Sequence, residues 1–164
     1  MYAHIVPPLA RSLKALDAIL AKAEAHCEAR KIDPAVLLSL RLFPDMLPFT
    51  RQIMIATDNA KGAASRLAGA EVPSFPDTET TFAELRARVA KTIAHVESFT
   101  EADYEGAADR TITLTLRSGE LTMPGAVYLA SWAIPNFYFH MTTAYDLLRH
   151  SGVELGKTDY LGTP

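Results

Sequence analysis

The chain lacks most of the patterns that announce a chemistry. Cys27 is its one cysteine in 164 residues, so no disulfide forms within it and packing alone must hold the fold. That points to a reducing compartment, and a cytoplasmic protein is expected. The phosphate-cradling G-x-x-x-x-G-K-[ST], the dinucleotide-binding G-x-G-x-x-G, the serine-hydrolase G-x-S-x-G and the zinc-binding H-E-x-x-H are all missing. Excess charge is missing too. Sixteen Lys and Arg against 19 Asp and Glu leave a net −3, which gives no footprint for nucleic acid or an anionic membrane. The opening "MYAHIVPPLARSLKAL" has no basic stretch followed by an apolar one, so no secretion signal is expected.

Charge is absent altogether from Leu121 to Tyr145, a run long enough to span a bilayer. Its content argues against lipid. Pro124, Gly125, Ser131, Pro135, Asn136, His140, Thr142 and Thr143 interrupt it, and no Lys/Arg cluster beside it sets a topology. The run reads as a helix buried in protein.

What is present is a helical protein. Hydrophobic residues make up 49% and charged ones 21%, which fits one globular domain over residues 1–164. From Pro7 to Arg30, Leu9, Leu13, Leu16, Leu20, Ala23 and Cys27 recur in steps of three and four, one face of a helix that starts at its prolines. Asp33-Pro34 opens a short helix as cap and first residue. A second long helix is predicted from Pro44 to Leu67, with Gly69 as its stop. After the loop "AEVPSFPDTE", Thr81 and Glu84 form a capping-box pattern for a third long helix, ending near Phe99. The period then changes: Ile112, Leu114 and Leu116 alternate with threonines ahead of Ser118-Gly119, which predicts a β-hairpin. A last helix is predicted from Pro124 to His150, with Gly152 as its stop. Four long helices with a small hairpin in the last connection make an all-α four-helix bundle.

Within the uncharged run, Pro135 predicts a kink, because it has no N–H and its ring meets the carbonyl of Ser131. Asn136, His140 and Thr143 share one face at steps of four and three. One reading has them satisfying backbone freed by the proline or bonding a neighbouring helix. The other has them lining a polar pocket opposite Asp45 and Gln52, which are spaced by seven along the second long helix; Tyr138 is a further candidate lining residue. In that pocket His140 is the acid/base candidate, since imidazole titrates near neutral pH. His95 and His26 flank apolar stripes and read as surface residues, and Cys27 as core.

The segments "LFPDMLPFTRQIMIATDNAKGAASRLAG" and "PNFYFHMTTAYDLLRHSGVELGKTDYLG" resemble a bacterial family catalogued as domain of unknown function 1993, itself similar to the DinB/YfiT-like superfamily. The resemblance covers nearly the whole chain. It implies an up-down-down-up four-helix bundle, often dimeric, and assigns no reaction. Metal-binding members of the superfamily carry one histidine on the second helix and an H-x-x-x-H pair on the last. Here that pair reads Asn136 to His140, and residues 44 to 67 hold no histidine. Asp45 or Asp58 would have to substitute as a ligand, and Asn is a poor replacement for imidazole. No cofactor is therefore expected, and a divalent metal on His140 is a residual alternative.

Three functions remain open: a small-molecule-binding protein or enzyme, a homodimeric module burying Tyr128 and Trp132 between subunits, and a weakened metalloprotein.

Overall fold

In the computed structural model, which describes residues 1–162, helix α1 spans Tyr2–Arg30. It begins more than a turn before its prolines because Ile5 and Val6 are buried and draw that turn onto the core. Pro7 and Pro8 thus lie inside the helix. The carbonyls that lose their donors belong to Ala3 and His4, which are exposed and can be solvated instead. Leu9, Leu13, Leu16, Leu20, Ala23 and Cys27 are all buried, as their spacing requires. Asp33 caps the short helix α2 (Pro34–Leu38) by accepting the Ala35 N–H at 3.0 Å.

Helix α3 spans Phe49–Ala68, not the predicted Pro44 to Leu67. Pro44 and Pro48 each push the preceding residue out of the helical region, so the chain makes a turn there, closed by Met46 N–H on Phe43 O at 2.9 Å. Asp45 therefore sits in an exposed loop rather than on the helix. At the other end Gly69 stops α3 in the left-handed conformation, with φ of 73°.

Helix α4 (Phe82–Glu97) carries the predicted capping box: Glu84 N–H donates to Thr81 Oγ1 at 3.1 Å, and Thr81 N–H to Glu84 Oε2 at 3.0 Å. A short 3₁₀ turn at Glu101–Tyr104 leads to β1 (Thr111–Leu116) and β2 (Gly119–Pro124). The strands pair antiparallel, Thr111 with Pro124 through Leu116 with Gly119, and bury Ile112 and Leu114.

The last long rod is α5 (Gly125–Tyr128), a π-helical turn at Leu129–Ala133, and α6 (Ile134–His150). The irregularity expected at Pro135 thus falls in the turn before it. A residue without an N–H cannot donate upstream, and the helix widens where that donor would have bonded. A short helix α7 (Lys157–Leu161) follows.

α1 packs along α4, and α3 packs along both α6 and α4. α1 and α6 touch little directly. Their seam is closed by Ser12 against Tyr138 (3.4 Å between hydroxyls) and by α7, whose Asp159 pairs with Lys22 and whose Tyr160 bonds Thr142. The molecule is mostly helical with one two-stranded sheet. Among the described residues no helix is long and apolar enough to cross a membrane.

Candidate functional site

Gln52 lies at the start of α3 and is buried against α6. Its side-chain amide is oriented by the loop before it, because Nε2 donates to the carbonyl of Leu47 at 2.9 Å. A carbonyl only accepts, so the amide cannot be turned the other way. Oε1 is thereby aimed at α6, where it lies 2.7 Å from Nδ1 of His140. Oε1 also only accepts, so Nδ1 must carry a hydrogen. Burial lowers the pKa of His140, which favours the neutral ring. A neutral imidazole protonated on Nδ1 has its lone pair on Nε2.

Nε2 has no hydrogen-bond partner among the described residues, and no buried side-chain nitrogen or oxygen there is left unpaired. The lone pair therefore reaches solvent. Two apolar residues adjoin the Gln52–His140 pair. The ring of Phe139 meets the imidazole edge-on with centroids 5.1 Å apart and is 55% exposed. Leu47, whose carbonyl holds Gln52, is 43% exposed. The arrangement is a fixed hydrogen-bond acceptor with an apolar flank. As a base it is weak, since Gln52 brings no negative charge to stabilise an imidazolium.

The other candidate residues go elsewhere. Asn136 Nδ2 donates to the carbonyl of Trp132 at 2.7 Å, and Thr143 Oγ1 to that of Phe139 at 2.7 Å, so both satisfy backbone on their own helix. Asp45 is exposed and bonds neither Gln52 nor His140. Tyr138 points to α1, where its hydroxyl meets Ser12. Two residues along a helix is about 200°, which puts Tyr138 on the side away from His140. Of the six residues singled out in the sequence, only Gln52 and His140 are joined by a bond.

These residues do not fit a resident metal. The Gln52 amide is committed at both ends. Asp58, the other substitute ligand, is held by Arg88 at 2.8 Å and Lys61 at 2.9 Å. That leaves one imidazole nitrogen where a transition metal needs three or four protein ligands. Among the described residues no three His, Cys, Asp or Glu side chains are placed to hold a metal ion together.

Sequence reasoning misplaced or missed several polar groups. His95 is partly buried rather than free at the surface: its Nε2 meets Oγ of the buried Ser65 at 2.8 Å, and burial with the nearby Lys61 lowers its pKa. Tyr128 is buried within the chain, accepting from Arg66 at 3.3 Å, and Trp132 packs against the same core. Tyr128 therefore offers no free face to a second subunit, and Trp132 only part of one. Arg88 was not singled out at all. Its side chain is 1% exposed, and its guanidinium bonds Thr57 Oγ1, the Pro76 carbonyl, Glu79, Asp58 and Asp77. Its one signal in the sequence is its place among Phe82, Leu85, Val89, Thr92 and Val96 on the buried side of α4.

None of the curated proteins is significantly similar to the chain. A crystal structure of a DinB family member protein from Shewanella denitrificans is similar to it, with 45% sequence identity and a TM-score of 0.94. That similarity covers 99% of this chain and 92% of the other. The family catalogued as domain of unknown function 1993 matches residues 1–161. The chain belongs to that family, and through its close structural relative to the DinB family.

Proposed function

We propose that the protein is a cytoplasmic four-helix bundle of the up-down-down-up DinB type that binds a small molecule at His140, between α3 and α6. The observation that carries this reading is the relay from the Leu47 carbonyl through Gln52 to His140 Nδ1. A purely structural histidine needs one partner on either nitrogen. Here a buried amide locked at its far end dictates which nitrogen is protonated and leaves the other bare at the surface. Gln52 is the positioning residue and His140 the contact. Asp45, Asn136 and Tyr138 have no part in the contact. The depressed basicity of His140 suits acceptance of a hydrogen bond better than removal of a proton, so binding is favoured over catalysis.

The test is the nitrogen NMR spectrum of the histidine rings. At neutral pH His140 should show a protonated Nδ1 and a bare Nε2. Gln52→Ala should mix the tautomers while the amide spectrum of α3 and α6 stays in place. A wild-type ring protonated on Nε2 would overturn the reading.

A second reading is a homodimer. It is supported by a group of exposed apolar residues at α2 and the loop after it, Val36, Leu42, Phe43 and Leu47. Light scattering over a hundredfold concentration range tests it, and a strict monomer would end it.

A further inference from the structure

The surroundings of His140 also select among ligands, an inference that rests on the binding site proposed above. We infer that the site takes an uncharged flat ring bearing one hydrogen-bond donor, a phenol or close analogue, with its hydroxyl on His140 Nε2 and its ring beside Phe139.

Three observations converge. The polar feature offered is an acceptor, so the ligand must supply the hydrogen, and a phenol hydroxyl is a stronger donor than an aliphatic one. The flank is apolar: Phe139, with its ring centre 5.1 Å from that of His140, is 55% exposed. An aromatic ring laid there gains burial and edge-to-face contact together. No charged side chain bonds either member of the Gln52–His140 pair. No Asp, Glu, Lys or Arg occurs between Leu121 and Tyr145, and Asp45 is the one such residue between Leu42 and Thr50. Asp45 bonds neither member of the pair. The neighbouring cations are engaged elsewhere, Arg41 on the Met46 carbonyl and Arg51 on Asp77. An anion on His140 Nε2 would find no cation bonded into the pair, so an uncharged ligand is favoured.

The experiment follows the His140 ring resonances of the full chain while adding 4-methylphenol, its methyl ether, or 4-methylbenzoate. We expect saturable shifts with the phenol and about tenfold weaker binding of the ether, which keeps the ring and loses the donor. Phe139→Ala should weaken phenol binding severalfold, and His140→Ala should abolish it with the amide spectrum otherwise retained. If His140→Ala does not fold, the phenol-to-ether ratio on the wild type decides alone. Equal binding of phenol and ether, tighter binding of the benzoate, or no saturation with any probe would overturn the inference. The spectrum without probe separates the two ideas. A ring protonated on Nε2 ends the site itself, whereas a bare Nε2 that ignores phenols ends only the ligand class.

Discussion

Burial of two imidazoles sets the behaviour of single residues in acid. His140 is held below its ordinary pKa by burial, and His95 by burial and then by Lys61. The unfolded chain therefore binds protons at a pH where the folded chain does not. Above about pH 6.5 both states are neutral at these sites and nothing changes. As the pH falls below that value the unfolded state is favoured, and the loss levels off once the folded histidines also protonate. Stability should fall by up to about 1.4 kcal/mol per pH unit for each such histidine inside that window. Urea unfolding of wild type and His140→Gln at pH 7.5 and 5.5 checks this. The variant should lose less between the two, and parallel losses would show that His140 is not the titrating group. Cys27 offers a second check. Its thiol is pushed up mainly by burial, with Asp33 and Glu24 adding to it, so thiol reagents should modify it at the rate of unfolding, not of encounter. Fast labelling of the folded protein would contradict its place in the core.

At the scale of elements, the buried Arg88 fastens a loop. The segment from Val72 to Thr80 has no regular structure. Asp77, Glu79 and the Pro76 carbonyl all converge on one guanidinium that α4 carries, and Asp58 brings α3 to it. Phe75 lies under the same charges, with Lys91 Nζ 4.0 Å from its ring centre. Arg88→Met keeps the aliphatic bulk and leaves three carboxylates without their common partner. A cost of about 3 kcal/mol is expected, reduced by the part exposure of Asp58 and Asp77. Hydrogen exchange should quicken at residues 72–80 before anywhere else. A cost under about 0.5 kcal/mol would mean that the loop is held by Phe75 and its prolines.

Helix faces were legible in the sequence because burial enforces their period; helix ends and polar partners were less so. The stripe of α1 and the capping box of α4 are local patterns, and local patterns survive folding. The start of α3 was misread because periodicity runs on through Pro44 to Pro48 while the backbone preferences of residues before proline do not. That moved Asp45 off the helix and out of the expected pocket. The π turn has a trace in the sequence: Gly125, Leu129, Ala133, Phe137 and Met141 are buried in four successive steps of four. On a straight α-helix those steps drift by about 160°, so a face that stays buried needs a wider turn somewhere. His95 with Ser65, and Arg88 with its carboxylates, pair across at least nine residues of chain, and no local rule predicts such partners. Gln52 with His140 was expected as one of several facing pairs, and that contact formed because α3 and α6 pack side by side.

For the whole molecule, the weak point is the seam between α1 and α6, which α7 closes at the end of the described chain. Two kinds of contact hold α7 there, and their sizes differ. Lys22 and Asp159 pair at 2.7 Å, but Lys22 is about half exposed, so solvent screens the pair and it contributes well under 1 kcal/mol. Tyr160 meets Tyr145 edge-on with centroids 5.6 Å apart and bonds Thr142 at 2.8 Å, which removes aromatic surface from water and satisfies both hydroxyls. Tyr160→Ala should therefore cost about 1–2 kcal/mol, and Lys22→Ala a few tenths. If α7 is a local closure, Tyr160→Ala should speed hydrogen exchange at residues 153–162 and the facing part of α1, leaving α3 and His140 untouched. Loss of protection spreading to the Gln52–His140 contact would instead mean that the seam and the site form one cooperative unit. Ligand binding at His140 should then strengthen the closure of α7, because a ligand that prefers the closed state raises its population by the ratio of its affinities.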